Sequence, residues 1–111
     1  MMETNVGLPL DEKAVGVYLK NWVAMFFKIL PIRESDDPSL TVYMQSLQRE
    51  ILGCKALLPA MREDAQFLSL ICRLQYLIDH PDCPFLELRR DVFACISICN
   101  KLKAKYSRAG R

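Results

Sequence analysis

Two groups of side chains have the residue types and spacing for chemistry. His80 is the one histidine in the chain and stands three residues before Cys83, with Asp79 and Asp82 beside them. An imidazole that near a thiol could activate it as a nucleophile, or the pair could begin a zinc site. A zinc site needs three or four protein ligands, however, and no second cluster of cysteine or histidine supplies the rest. Pro81 and Pro84 punctuate the motif, the composition a tight interhelical turn requires. Phosphotransfer fails on position, because His80 precedes Pro81 in a turn whereas a phosphorylatable histidine should stand on a helix face. Cys95 and Cys99 are one helical turn apart and could offer two sulfurs to one metal ion. They share a heptad stripe with Val92 and Leu102, where a reduced cysteine packs as a small hydrophobe. Core packing is also assigned to Cys54 and Cys72, which leaves Cys83 as the thiol expected to be accessible.

No glycine-rich phosphate cradle, His-Glu-x-x-His helix or nucleophile elbow occurs. The carboxylates Glu34, Asp36 and Asp37 cluster only where a helix cap is needed. The chain is therefore expected to be no enzyme, with no catalytic residue, no metal and no cofactor.

A third group is basic. Lys101, Lys103, Lys105, Arg108 and Arg111 follow one another without an acid, and Arg89 and Arg90 lie earlier in the same segment. Such cations could contact phosphates, with Tyr106 stacked on a base. Against this, cations at a helix C-terminus are stabilised by its dipole. A formal net charge of +2 gives only a weak overall field. A nucleic-acid-associated regulator is thus the alternative reading, and nucleic acid is not the expected partner.

The elements that must position these residues are helices. At 111 residues, 51% hydrophobic and 25% charged, the composition is that of one globular domain. Four glycines are few for the turns of a β-rich fold. Five cysteines cannot all pair within a monomer, and Met1 to Asn5 carry no basic region leading into an apolar run. Reduced thiols in the cytoplasm are expected. Residues 14–32 are apolar but interrupted by Lys20, Asn21 and Lys28, which argues against a membrane span.

Prolines divide the chain into four segments. Residues 11–30 begin with Asp11 and Glu12 and carry Val15, Tyr18, Leu19, Trp22, Val23, Phe26, Ile29 and Leu30 on one face. Asp37 and Pro38 form a helix start. Leu40, Met44, Leu47, Ile51, Cys54 and Leu58 follow it in a heptad stripe. Pro59 either ends that helix or begins the next. Residues 62–79 offer Phe67, Ile71, Leu74 and Ile78, flanked by Leu68, Leu70 and Leu77, with Glu63 and Asp64 in the first turn. From about residue 84, Phe85, Leu88, Val92, Cys95, Cys99, Leu102 and Tyr106 alternate steps of three and four. With connections this short, the expected fold is all-α: a small antiparallel up-down four-helix bundle. Residues 1–10 would form a flexible arm, 11–106 the domain and 107–111 a flexible basic tail.

The apolar surplus points to function. A bundle of this size hides one stripe per helix, yet Val17, Met25 and Phe27 lie outside the first stripe. Leu70 and Leu77 exceed the third stripe, and Leu86, Phe93 and Ile96 exceed the fourth. The first segment is so apolar around its circumference that it should be buried on nearly all sides. If four of these side chains stay exposed in a lone monomer, they form a sticky patch. The leading expectation is a protein-binding module, an adaptor, regulator or chaperone-like subunit, that docks a partner or a second copy as a homodimer. Val17, Trp22, Met25 and Phe27 are its expected contact residues.

Overall fold

Pro31 bends the first rod instead of ending it. The structure, a computed structural model, describes residues 7–54, 57 and 59–106. Helix α1 spans Gly7–Phe27, and beyond Lys28 the same rod resumes as α2, Ile29–Glu34. Pro31 has no N–H for the Phe27 carbonyl four residues back, and its ring crowds that oxygen. On either side the ladder survives: Lys28 N donates to Ala24 O and Ile32 N to Lys28 O, both at 3.3 Å. The helix already includes Gly7, so Asp11 and Glu12 are not in its first turn. Of the predicted arm, residues 7–10 are helical, while residues 1–6 lie outside the described residues, as does the predicted tail, 107–111.

The N-cap of the next helix is Ser39 and not Asp37, and Pro38 lies before the helix and not at its first position; Asp37 instead closes the turn that leads into it. Its Oδ1 accepts from Ser39 N at 2.9 Å and its carbonyl accepts from Leu40 N at 3.2 Å. Regular helix α3 then covers Leu40–Leu52. Just before Asp37, Asp36 has φ of 56°, a left-handed conformation that aspartate tolerates better than bulkier residues. The heptad positions Leu40, Met44, Leu47, Ile51 and Cys54 are all buried, and Leu58 lies outside the described residues. Pro59 opens a single turn, α4, Pro59–Arg62.

Helix α5, Ala65–Asp79, begins three residues later than the sequence suggested, because Asp64 is its N-cap and accepts from Gln66 N at 2.8 Å. Its buried stripe is Phe67, Leu70, Leu74, Leu77 and Ile78, with Ile71 half-buried and Leu68 exposed. The stripe is rotated from the predicted one because α5 packs against both α3 and α6, so its buried arc is centred between them. Helix α6, Phe85–Tyr106, buries Leu88, Val92, Cys95, Ile96, Cys99 and Leu102. The four long helices α1, α3, α5 and α6 surround one apolar core, in which Trp22, Phe26 and Phe67 are the aromatic contributions and Met44 and Met61 pack among leucine and isoleucine. The most extensive packing is between α1 and α6. No strand occurs among the described residues, and the body measures 50 × 21 × 20 Å.

Candidate docking surface

The histidine–cysteine turn is built for structure. His80 ends α5, exposed, with its ring stacked on Tyr76 at 4.2 Å between centroids and Nδ1 2.9 Å from Tyr76 O. Cys83 turns inward: its N–H donates to His80 O at 3.2 Å and its side chain is buried. Burial is also what raises the Cys83 thiol above its ordinary range. This reverses the expected accessibility, for the exposed thiol is Cys72 and Cys83 belongs to the core. Cys95 and Cys99 are pushed up to about 12 by burial, which disfavours the nucleophilic thiolate. Among the described residues no group of three or more metal-ligating side chains is brought together.

The cations of α6 diverge. The Arg89 guanidinium lies over the Phe93 ring, 5.0 Å from its centroid. Arg90 instead lines an open cleft between α5 and α6 with Cys72, Arg73, Tyr76, Glu87 and Asp91. Lys105 Nζ donates to Asp64 Oδ2 at 2.6 Å, and Tyr106 Oη donates to the same oxygen at 2.6 Å. Those donors, together with Gln66 N–H, hold the Asp64 carboxyl down to about 2. Tyr106 is thereby committed to α5 and is not presented for base stacking. Lys101 and Lys103 are exposed, and Arg108 lies outside the described residues. No local pattern marks the Asp64 cluster, whose members are about 40 positions apart; only the fold joins them.

The apolar surplus divides evenly. Leu70, Leu77 and Ile96 are core, and Met25 is half-buried against it, its carbonyl accepting from Tyr43 Oη at 2.9 Å. Trp22, expected as a contact residue, is 1% exposed and belongs to the core. It follows Val15 and Leu19 and precedes Phe26 and Ile29 on the inward stripe. Its indole N–H has no hydrogen-bond partner among the described residues. The remaining four side chains stay out: Val17 is 60% exposed, Phe27 43%, Leu86 75% and Phe93 39%. From residue 13 onward α1 is therefore not enclosed on nearly all sides, because Val17, Lys20, Asn21, Ala24 and Phe27 are exposed.

Two of the four meet across the helix pair. Phe27 of α1 and Phe93 of α6 pack edge to face with centroids 5.6 Å apart, a geometry that aligns the positive ring edge with the negative face. Leu86 precedes Phe93 by seven residues, two turns along the same side of α6. Val17 lies ten residues before Phe27 on α1, with exposed Lys20, Asn21 and Ala24 between them. The outer surface shared by α1 and α6 is thus an aromatic pair with aliphatic outliers. By length and composition alone, Lys13–Glu34 is also apolar enough to cross a membrane, despite the polar residues that interrupt it. In the folded chain its stripe is used against α3 and α6. No protein-family model matches the chain, and no curated protein or solved structure matches it.

Proposed function

We propose that this chain is a non-enzymatic protein-binding module, an adaptor, regulatory or chaperone-like subunit of the cytoplasm, that offers the outer α1–α6 surface to a partner. The observation that supports this reading is the exposure of Val17, Phe27, Leu86 and Phe93 on two adjoining helices. Full burial of such a side chain is worth roughly 1.5–3 kcal/mol, so covering these partly exposed groups would recover a share of that from each. Other exposed apolar residues, Val42, Leu52 and Leu68, make no comparable ring contact across helices. The supporting scaffold is read as an antiparallel up-and-down bundle, since Asp64, Arg73 and Tyr76 along α5 meet Lys105, Asp91 and Glu87 of α6 in reverse order. Photo-crosslinking in the native cell tests the proposal. With p-benzoylphenylalanine at Leu86, a discrete protein adduct is expected. The same probe at Leu68, exposed on α5, should give none. Equal labelling from both positions, or none from Leu86, would remove the α1–α6 surface from consideration.

A further inference from the structure

We infer that the partner docked on the α1–α6 surface is an acidic amphipathic helix, a statement that rests on the docking role proposed above and adds the partner's chemistry. Charge carries the argument. Between residues 13 and 33 every charged residue is a cation: Lys13, Lys20, Lys28 and Arg33. The three lysines are exposed. Helix α6 has two acids, and both are engaged on the α5 side. Glu87 accepts from Tyr76 Oη at 2.7 Å, and Asp91 pairs with Arg73 at 3.3 Å. Arg89 adds a cation at the aromatic pair itself, its guanidinium sitting over Phe93. The outer surface therefore presents apolar side chains interleaved with Lys20, Lys28 and Arg89, while both carboxylates of α6 face α5 and the exposed carboxylate of Glu34 stands at the end of α2.

That combination selects among partners. A second copy docking by the same surface would set Lys20, Lys28 and Arg89 against their own equivalents, a like-charge juxtaposition that costs affinity. A nucleic-acid backbone would satisfy the cations but leave Phe27, Leu86 and Val17 opposite phosphates. A bilayer needs a broad contiguous apolar face, and here the apolar residues are few and separated by Lys20 and Asn21. A helix requires only anchors at i, i+3 or i+4 and i+7 to fill a seam between two rods. Carboxylates beside those anchors would reach Lys20, Lys28 and Arg89.

The test uses two synthetic peptides of about five helical turns. Both have leucine at the anchor positions; one has glutamate at the others, its twin lysine. Fluorescence anisotropy with the full chain should show the Leu/Glu peptide binding about tenfold or more tighter than the Leu/Lys twin, with the difference shrinking at high salt. The triple variant Lys20→Glu, Lys28→Glu, Arg89→Glu changes only exposed side chains and should reverse the preference. Phe27→Glu with Leu86→Glu should abolish both interactions while circular dichroism stays helical. Equal affinity for the twins, lost in the Phe27/Leu86 variant, would keep the docking surface and overturn the acidic partner. Binding that ignores both variants, no binding by either peptide, or binding only to vesicles containing phosphatidylserine would also overturn it.

Discussion

Leu86 and Leu88 are two positions apart on α6 and meet opposite environments, 75% exposed against 0%. Their truncation separates a surface role from a core role. Leu88→Ala should cost roughly 2–5 kcal/mol in urea denaturation, from lost transfer energy plus the cavity left behind. Leu86→Ala should remain within about 0.5 kcal/mol. The heptad spacing on α6 marked Leu88 as core, and Leu86 stood out as surplus, so this contrast was legible in the sequence. The thiols were not. Cys72 fits an apolar periodicity on α5, yet it stands exposed at the open cleft between α5 and α6. Cys83 has a turn composition, yet its side chain folds inward beneath the α5–α6 connection. Which side a turn residue faces depends on tertiary packing, and periodicity carries no information about it. Titration of the five thiols with a disulfide reagent should therefore show one reacting promptly in the native protein, Cys72, and four only after denaturation. Prompt loss of a second thiol, traced to Cys83, would contradict the packing of that turn.

At the scale of elements, Asp64 does two jobs. It caps α5 through Gln66 N–H and ties that helix start to the end of α6 through Lys105 and Tyr106. Its carboxyl is depressed from an ordinary 3.8 to about 2 in the folded chain. A group with a lower pKa folded than unfolded contributes its stability above the unfolded value, and loses it as the pH falls through the folded one. The contribution is therefore complete above about pH 4 and fades on the way to pH 2. Thermal melts across that window should fall more steeply for the native chain than for Asp64→Asn, which retains a capping oxygen but carries no charge. Parallel acid limbs would show that the cluster contributes nothing. Helix existence was readable from the heptads, whereas Asp37 and Pro38 marked the turn before α3 and not its cap, which is Ser39. Boundaries were less so. Pro31 reads as a stop signal, but the helix runs on to Glu34, with Ile32 packed against the core and Arg33 donating to Pro81 O beyond the proline. Asp64 reads as a first-turn acid because its long-range donors are invisible locally.

The molecule as a whole was legible as helices around a single core, since four apolar stripes separated by prolines admit few other arrangements. The surface was legible in kind but not in place: a surplus of apolar residues was countable, whereas Trp22, Leu70, Leu77 and Ile96 could be assigned inward only once the neighbours of each helix were fixed. What the sequence order does determine is timing. The most extensive interface joins α1 to α6, the first described helix to the last, and contacts so distant along a chain are the slowest to form. On the ribosome, where residues emerge one after another from the N-terminal end, the stripe Val15, Leu19, Trp22, Phe26 and Ile29 is made long before Val92 and Cys99 exist to cover it. Throughout that interval the nascent segment is greasy, unshielded and attractive to holdase chaperones, and its shelter arrives only once α6 has been made.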